Sequence, residues 1–308
     1  MSAKKEIKKV VVLKGGWNGE RDVSLSSAVG IAAALKKLGY LVKELDITYD
    51  GVLPFIEQLK SFEPDVAFNA LHGYGGEDGV IQGLLEMMHI PYTHSGVLSS
   101  ALAMNKVQSR LVLDKNGLKV PSWCLINPCD IRTFKEFNYP YVMKPISDGS
   151  SKGVYIVKSD EDLENVDVSY FKEDKVLVEK FVSGREIQIG IMGDKALGAI
   201  EIKPKVEFYS YEAKYTDGLA EHIMPAPLSK ELYEKALTEG LKAHKALGCK
   251  SVSRVDTIMD EEGNFIVLEV NTQPGFTPTS LLPEIASYAG ISFEQLINWM
   301  VEKASCEL

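Results

Sequence analysis

Two carboxylates, a guanidinium and a side-chain amide lie close in sequence near the C-terminal end, in Arg254-Val-Asp256 and Glu269-Val-Asn271. The runs that carry them, Val252–Met259 and Phe265–Val270, are rich in Val and Ile. They flank the polar turn Asp260-Glu-Glu-Gly-Asn264 and read as two strands of a hairpin. Alternation along a strand puts Arg254 and Asp256 on one face, and Glu269 and Asn271 on one face. A four-residue loop, Glu261–Asn264, sets Asp256 opposite Glu269 and Arg254 opposite Asn271. Facing carboxylates repel unless a cation lies between them, and all-oxygen ligation of this kind suits Mg²⁺ carrying substrate phosphates. The competing reading is an exposed hairpin face with solvated charges. A one-residue change in loop length would scatter the group.

The elements upstream must hold whatever this hairpin acts on. The first hundred residues alternate strand and helix patterns: Val10–Leu13 as a buried strand, Ser24–Leu38 as a helix, Leu41–Ile47 and Val66–Leu71 as strands, Asp78–Met88 as a helix. This rhythm predicts a parallel sheet with its working loops at the carboxyl ends of the strands, here Gly15–Asp22 and His72–Asp78. Glu20 in the first loop can hold a substrate ammonium group, pair with Arg21, or favour the following helix N-terminus. His72 opens the second loop; a lone histidine is more often structural than catalytic, although four glycines within seven residues suggest a tightly shaped loop.

Val97–Asp114 reads as one helix closed by Asn116-Gly117. Beyond Pro121 the pattern turns to strands, Tyr141–Lys144, Val154–Val157 and Val176–Phe181, with the Gly/Ser turn Ser147–Gly153 between the first two. Lys144 at a strand end beside that turn can neutralise and cradle phosphate, although no Walker A sequence occurs and such turns are commonly only turns. Glu179-Lys180-Phe181-Val182, with Glu186 after the next turn, can offer amides to an adenine edge and a carboxylate to ribose, or is an ordinary strand end. Strands at Glu186–Met192 and Ala196–Lys203 precede an aperiodic polar stretch, 205–218, that suits a lid loop. Ser229–Leu247 is an amphipathic helix, and Ser292-Phe-Glu-Gln295 opens the last helix with a capping box. The Pro/Gly loop from Asn271 to Ser280 can present N–H groups and a hydroxyl to an anion.

Composition narrows the function classes. With 308 residues, 45% of them hydrophobic, the chain can bury cores for two or three domains. A net charge of −9 argues against a nucleic-acid or anionic-membrane surface. No apolar run approaches the about 20 residues of a membrane-spanning helix, and the short run Val10–Leu13 does not make a secretory signal. The four cysteines, Cys124, Cys129, Cys249 and Cys306, form no CxxC pair, which points to reduced thiols in a cytoplasmic protein without zinc.

In order, these segments resemble the ATP-grasp ligases, and within them the D-alanine–D-alanine ligase family, over nearly the whole chain from about Val10. The resemblance rests on Gly-Gly-Trp-Asn-Gly-Glu-Arg-Asp-Val-Ser (15–24), Leu-His-Gly-Tyr-Gly-Gly-Glu-Asp-Gly (71–79), Tyr-Thr-His-Ser-Gly (92–96) and Ala-Met-Asn-Lys (103–106). It continues with Gly-Ser-Ser-Lys-Gly (149–153), Tyr-Glu-Ala-Lys-Tyr (211–215), Arg-Val-Asp (254–256) and Leu-Glu-Val-Asn-Thr-Gln-Pro-Gly (268–275). It implies an α/β and α+β architecture: an N-terminal parallel-sheet domain over 1–95, then an ATP-grasp fold of two subdomains, 96–183 and 184–308, the latter bearing the lid loop and metal site.

The resemblance also implies roles by position. Lys106, Lys144 and Ser151 would contact phosphates, with Lys214 reaching the γ-phosphate from the lid. Glu179, Lys180, Val182 and Glu186 would surround adenine and ribose. Asp256, Glu269 and Asn271 would hold two Mg²⁺ ions, with Mn²⁺ as a substitute. Glu20 would bind the ammonium of a first D-alanine near Val23 and His72, and Ser280 and Leu281 the carboxylate of a second. Ser150, Tyr215 and Glu20 would link the lid to the first substrate, and Arg254 with the Gly275 N–H would stabilise the oxyanion.

The implied activity is ATP-dependent formation of D-alanyl-D-alanine through an acyl phosphate, for peptidoglycan precursors, by a cytoplasmic homodimer. Departures from the family pattern fall at Phe276, usually Met; at Gln273, usually Leu, Met or Ser; at Pro278-Thr279; and at Lys152 in the flap. Tyr215 favours an amide over an ester product, since relatives that make D-alanyl-D-lactate commonly carry Phe there. The alternatives are an ATP-grasp ligase with a different second substrate and a non-catalytic nucleotide binder. A nicotinamide-dependent oxidoreductase is poorly supported, because Gly15-Gly16-Trp17-Asn18-Gly19 is not GxGxxG.

Overall fold

A continuous apolar run buried on both faces needs helices above and below it, and Val10–Leu13, fully buried, is such a run. A computed structural model describes residues 7–48, 51–149, 152–204 and 220–307. In it, β1 (Lys9–Gly15) lies between β2 (Leu41–Ile47) and β3 (Val66–Asn69), and both pairings are parallel. Helix α1 (Arg21–Lys37) makes the crossover from β1 to β2. The sequence reading placed no helix between β2 and β3, yet α2 (Val52–Phe62) is there. It buries only Phe55 and Leu59, too narrow a stripe to announce itself. Helix α3 (Val80–Met87) starts two residues later than expected, because the Asp78 carboxylate accepts the N–H groups of Gly75 and Val80 outside the helix.

The single helix expected over Val97–Asp114 is two helices, α4 (Val97–Met104) and α5 (Lys106–Lys115). Asn105 breaks them: its backbone is extended (ψ 101°) and its side chain accepts from the Gln108 N–H, capping the second helix. An asparagine that satisfies a helix start competes with continuation of the preceding helix. The Lys106 N–H thereby donates to the Ile146 carbonyl at 3.0 Å, which fixes this lysine beside the Gly/Ser turn.

Two antiparallel sheets follow. The first runs β4 (Trp123–Ile126), β7 (Val176–Lys180), β5 (Tyr141–Lys144), β6 (Tyr155–Val157), with α6 (Asp160–Glu164) against β6. The second runs β10 (Ala220–Ile223), β9 (Lys195–Pro204), β8 (Arg185–Met192), β11 (Val252–Met259), β12 (Phe265–Asn271). Helix α7 (Lys230–Ala246) packs on this sheet through Ala236, Gly240 and Ala243. It sits so close that a Cβ at Gly240 would meet Ile189 Cγ2 at 2.7 Å. Helices α8 (Leu281–Tyr288) and α9 (Phe293–Glu302) close the chain, and the capping box of Ser292 and Gln295 is formed. Leu296, Ile297, Met300 and Val301 of α9 share one core with Val10, Val12, Ile31 and Leu35, so the last helix packs back on the first sheet.

The hairpin reaches the expected pairing by a different route. Its loop is three residues, 261–263, with Gly263 at φ +75° and the Asp260 N–H donating to the Asn264 carbonyl at 3.0 Å. That register pairs Thr257 with Val267 and, continued, would set Leu268 opposite Asp256 and turn Glu269 to the other face. A bulge at Leu268 removes the offset, giving Asp256↔Glu269 and Arg254↔Asn271. The loop is one residue shorter than predicted, and the bulge compensates.

Candidate active site

The charged face of the hairpin borders two adjoining cavities. The wider, about 650 Å³, lies between the two antiparallel sheets and is lined by Lys144, Glu179, Lys180, Val182, Glu186 and Asp256. The narrower, about 100 Å³, is lined by Glu20, His72, Arg254, Asn271, Gly275, Ser280 and Leu281. Lys106, Asp148, Gly149 and Glu269 line both, so the cavities meet at one ammonium group, two acidic residues and a glycine of the flap.

In the wider cavity the electrostatics centre on Lys144, at the end of β5. Its ammonium group lies 2.6 Å from Glu179 Oε2, and the other Glu179 oxygen pairs with Arg110 of α5. Burial pushes the Lys144 pKa down to about 8; Glu179 opposes the shift, while the cations of Arg110 and Lys106 add to it. Glu179 therefore stands between two buried cations. Glu186, whose Oε1 accepts from Gln188 Nε2 at 3.0 Å, is the second carboxylate on this wall. Arg110 was not a sequence candidate, although it follows Lys106 by one helical turn, and its Nη2 also donates to the bulged Leu268 carbonyl at 3.2 Å.

On the hairpin wall Arg254 grips Asp256 through two parallel bonds, Nε to Oδ1 at 2.7 Å and Nη2 to Oδ2 at 2.8 Å. Strand alternation puts them on one face, as expected, with Glu269 and Asn271 on the neighbouring strand. This donor set fits a hard divalent cation: two carboxylates and an amide oxygen, with no sulfur or imidazole among them. Among the described residues no group of three or more His, Cys, Asp or Glu side chains could hold a metal. A cation here would therefore need further oxygens from water or phosphate.

The narrower cavity sets residues of three loops against the Arg254 and Asn271 side of the hairpin. Glu20, buried at the start of α1, reaches toward both the β3 loop and the flap. A Cβ at Gly73 (φ +66°) would lie 2.2 Å from Glu20 Oε2, and one at Gly149 would lie 3.3 Å from it. Glycine at 73 is thus required by backbone and by space. His72 Nδ1 is 3.0 Å from Glu77 Oε1, and its Nε2 is 3.5 Å from Ser27 Oγ, so the ring is held from both sides. At the far end, Ser280 Oγ accepts the Thr277 N–H at 2.9 Å and lies 2.8 Å from Thr277 Oγ1. A Cβ at Gly275 would come within 2.7 Å of the Ser280 hydroxyl.

Val23 is buried in α1 and is not among the residues lining either cavity. Ser150, Ser151, Lys214, Tyr215 and the expected lid, 205–218, lie outside the described residues. Glu77, Asp148, Gln188 and Thr277 line the narrower cavity without having been singled out, as does Thr279, marked only as a departure from the family pattern. The run Thr277-Pro-Thr-Ser280 was a visible signal; the others acquire their place only through packing.

Comparisons with known proteins agree along the chain. The family described as D-ala D-ala ligase C-terminus matches residues 112–302, and D-ala D-ala ligase N-terminus matches 54–95. A D-alanine--D-alanine ligase of Parvibaculum lavamentivorans is 46% identical, covering 98% of this chain and 99% of that protein. One of Brucella anthropi is 48% identical, covering 97% and 98%. The crystal structure of D-alanine--D-alanine ligase from Bacillus anthracis complexed with ATP superposes with a TM-score of 0.81 at 33% identity, covering 97% of each chain.

Proposed function

Because the chain belongs to the D-alanine–D-alanine ligase family, with its ATP-grasp fold, we propose that it joins two D-alanine molecules as ATP becomes ADP and phosphate. The observation that carries this reading is the junction: Lys106 and Glu269 border both cavities, so a phosphate group in the wider one is in reach of a carboxylate in the narrower. The domain limits 1–95, 96–183 and 184–308 follow the same division, each of the three sheets lying within one of them.

ATP enters the wider cavity with its base toward Lys180 and Val182, its ribose at Glu186 and its phosphates at Lys144 and Lys106. Ser151 and Lys214, outside the described residues, are the further phosphate contacts that the resemblance implies. Glu179 holds Lys144 in place through their ion pair. Mg²⁺ held by Asp256, Glu269 and Asn271 would offset charge on the transferring phosphoryl group. Glu269 faces both cavities, which suits two such ions, and Mn²⁺ meets the same oxygen set.

In the narrower cavity Glu20 and His72 orient the first D-alanine. Its carboxylate oxygen bonds to the γ-phosphorus, the bond to the β,γ-bridging oxygen breaks, and ADP leaves. Ser280, at the N-terminus of α8, and Leu281 receive the carboxylate of the second D-alanine, where exposed N–H groups favour an anion. Its neutral amine attacks the acyl carbon. Arg254 and the Gly275 N–H stabilise the tetrahedral oxyanion before phosphate departs and the amine proton is lost. Acyl phosphates hydrolyse readily, so the site must exclude water while one is present; the part expected of Ser150, Tyr215 and the 205–218 segment in this belongs to residues outside the described ones.

The working unit is a cytoplasmic homodimer in this reading; among the described residues no helix is long and apolar enough to cross a membrane. Mass analysis of products from ATP, Mg²⁺ and D-alanine tests it, with D-alanyl-D-alanine and ADP expected. A panel with D-serine and D-lactate as second substrate distinguishes the amide-forming ligase from its neighbours. Absence of any D-alanine-dependent ADP would end the proposal.

A further inference from the structure

Gln273 takes part in none of the contacts just described, yet it is 1% exposed in the loop that leaves Asn271. Its side-chain amide joins parts of the chain that are far apart in sequence. Gln273 Nε2 donates to the Leu71 carbonyl, and Gln273 Oε1 accepts from Asn69 Nδ2 at 2.7 Å. Asn69, also 1% exposed, passes the link onward: its Nδ2 donates to the Gly76 carbonyl at 2.9 Å, and its Oδ1 accepts the Leu71 N–H at 3.2 Å. On the other side the Gln273 N–H donates to Asn271 Oδ1 at 2.8 Å. One buried run of amide hydrogen bonds therefore connects Asn271 on the hairpin with the loop that carries His72 and Glu77.

We infer that Gln273 is a positioning residue, whose amide sets the separation between the His72–Glu77 loop and the Asn271–Ser280 loop, and so the width of the narrower cavity. The inference rests on the ligase reading and deepens it: these loops hold the first D-alanine on one side and the oxyanion and second D-alanine on the other. An apolar side chain of similar length would fill the space but leave the Leu71 carbonyl and one Asn69 N–H without this partner. Buried groups in that state recruit water or move apart. The wider cavity is lined by neither loop, and the bond to Asn271 comes from the Gln273 backbone N–H, which a side-chain substitution leaves in place, so nucleotide binding should change little.

The test is Gln273→Met in the full chain, with D-alanine-dependent ADP release, the KM for ATP and the melting temperature measured together. Misplacement of reacting groups by about 1 Å costs up to about a hundredfold, so kcat/KM for D-alanine should fall by roughly ten- to a hundredfold while the KM for ATP stays within about twofold. Asn69→Leu should act on the same parameter, and the double variant should lose no more than the worse single one. Should the Met variant melt below the assay temperature, Gln273→Ser removes the amide without added bulk and gives the same readout. An unchanged kcat/KM for D-alanine, a KM for ATP that rises in step, or additive losses in the double variant would overturn the positioning role. A wild-type chain that forms no ADP with D-alanine would instead overturn the ligase reading itself.

Discussion

The wider cavity takes its principal charges from strands, while the narrower one adds groups from three loops to the hairpin wall, and the two place their charges by different means. In the first, Lys144, Glu179 and Asp256 project from β5, β7 and β11, and backbone pairing fixes where each side chain points. In the second, Glu20, His72, Gly275 and Ser280 come from three separate loops, which bonds made by side chains must hold in place. Phosphate recognition needs charge at fixed points and tolerates varied flanking contacts. A pocket for a molecule as small as D-alanine depends on the exact approach of loops. Affinity for nucleotide should therefore follow the strand-borne charges, and handling of amino acids the loop contacts.

The sharpest break in that division is at the junction. Glu269→Gln removes charge seen from both cavities, so kcat should fall by about a hundredfold or more, with a smaller effect on the KM for ATP. Wild-type turnover in that variant would remove the hairpin from the chemistry.

Lys144 probes the strand-walled side alone. Burial brings its pKa to about 8, so it loses its charge as pH rises past that point, and ATP affinity should weaken there. Lys144→Met should bind ATP at least about tenfold more weakly and without that pH step. The same shift affects stability with a definite sign. Between about 8 and the ordinary value of 10.5 the unfolded chain binds a proton that the folded chain does not, so this group adds stability as pH rises through that window. Melting curves of wild type and variant between pH 7 and 10 check this; curves that stay parallel would contradict it.

Ser280→Ala probes the loop-walled side. Loss of one hydroxyl to a carboxylate should raise the KM for the second D-alanine about tenfold and leave ATP untouched. An equal rise in both KM values would blur the division. The smallest effect belongs to Lys152, whose Nζ donates to the Gly19 carbonyl at 2.6 Å across the two sides. Such a partly exposed contact is worth little, so Lys152→Ala should change either KM by at most about threefold in steady-state assays. A larger change would make the flap a latch between the cavities.

Legibility in the sequence follows the same line. The strand-borne groups could be read because period-two alternation assigns faces without knowledge of neighbours. Even so, the Asp256–Glu269 pairing depends on a three-residue loop and a compensating bulge at Leu268, neither visible in the chain. The break at Asn105 was missed because the apolar period runs through it, while the competing cap is a single side-chain bond to Gln108. Arg110 and Glu77 gain their roles only by meeting Glu179 and His72.

The amino-acid sequence by itself determined the parallel first sheet, the charged hairpin face and the glycine-rich loops, since these follow from periodicity, burial and backbone freedom within short windows. Tertiary structure alone decided that β12 bulges, that Glu179 lies between Lys144 and Arg110, and that Gln273 joins Asn69 to the hairpin. Each of those outcomes depends on groups brought together from distant parts of the chain, where the cost of an unpaired buried polar atom selects one arrangement among many that local preference would allow.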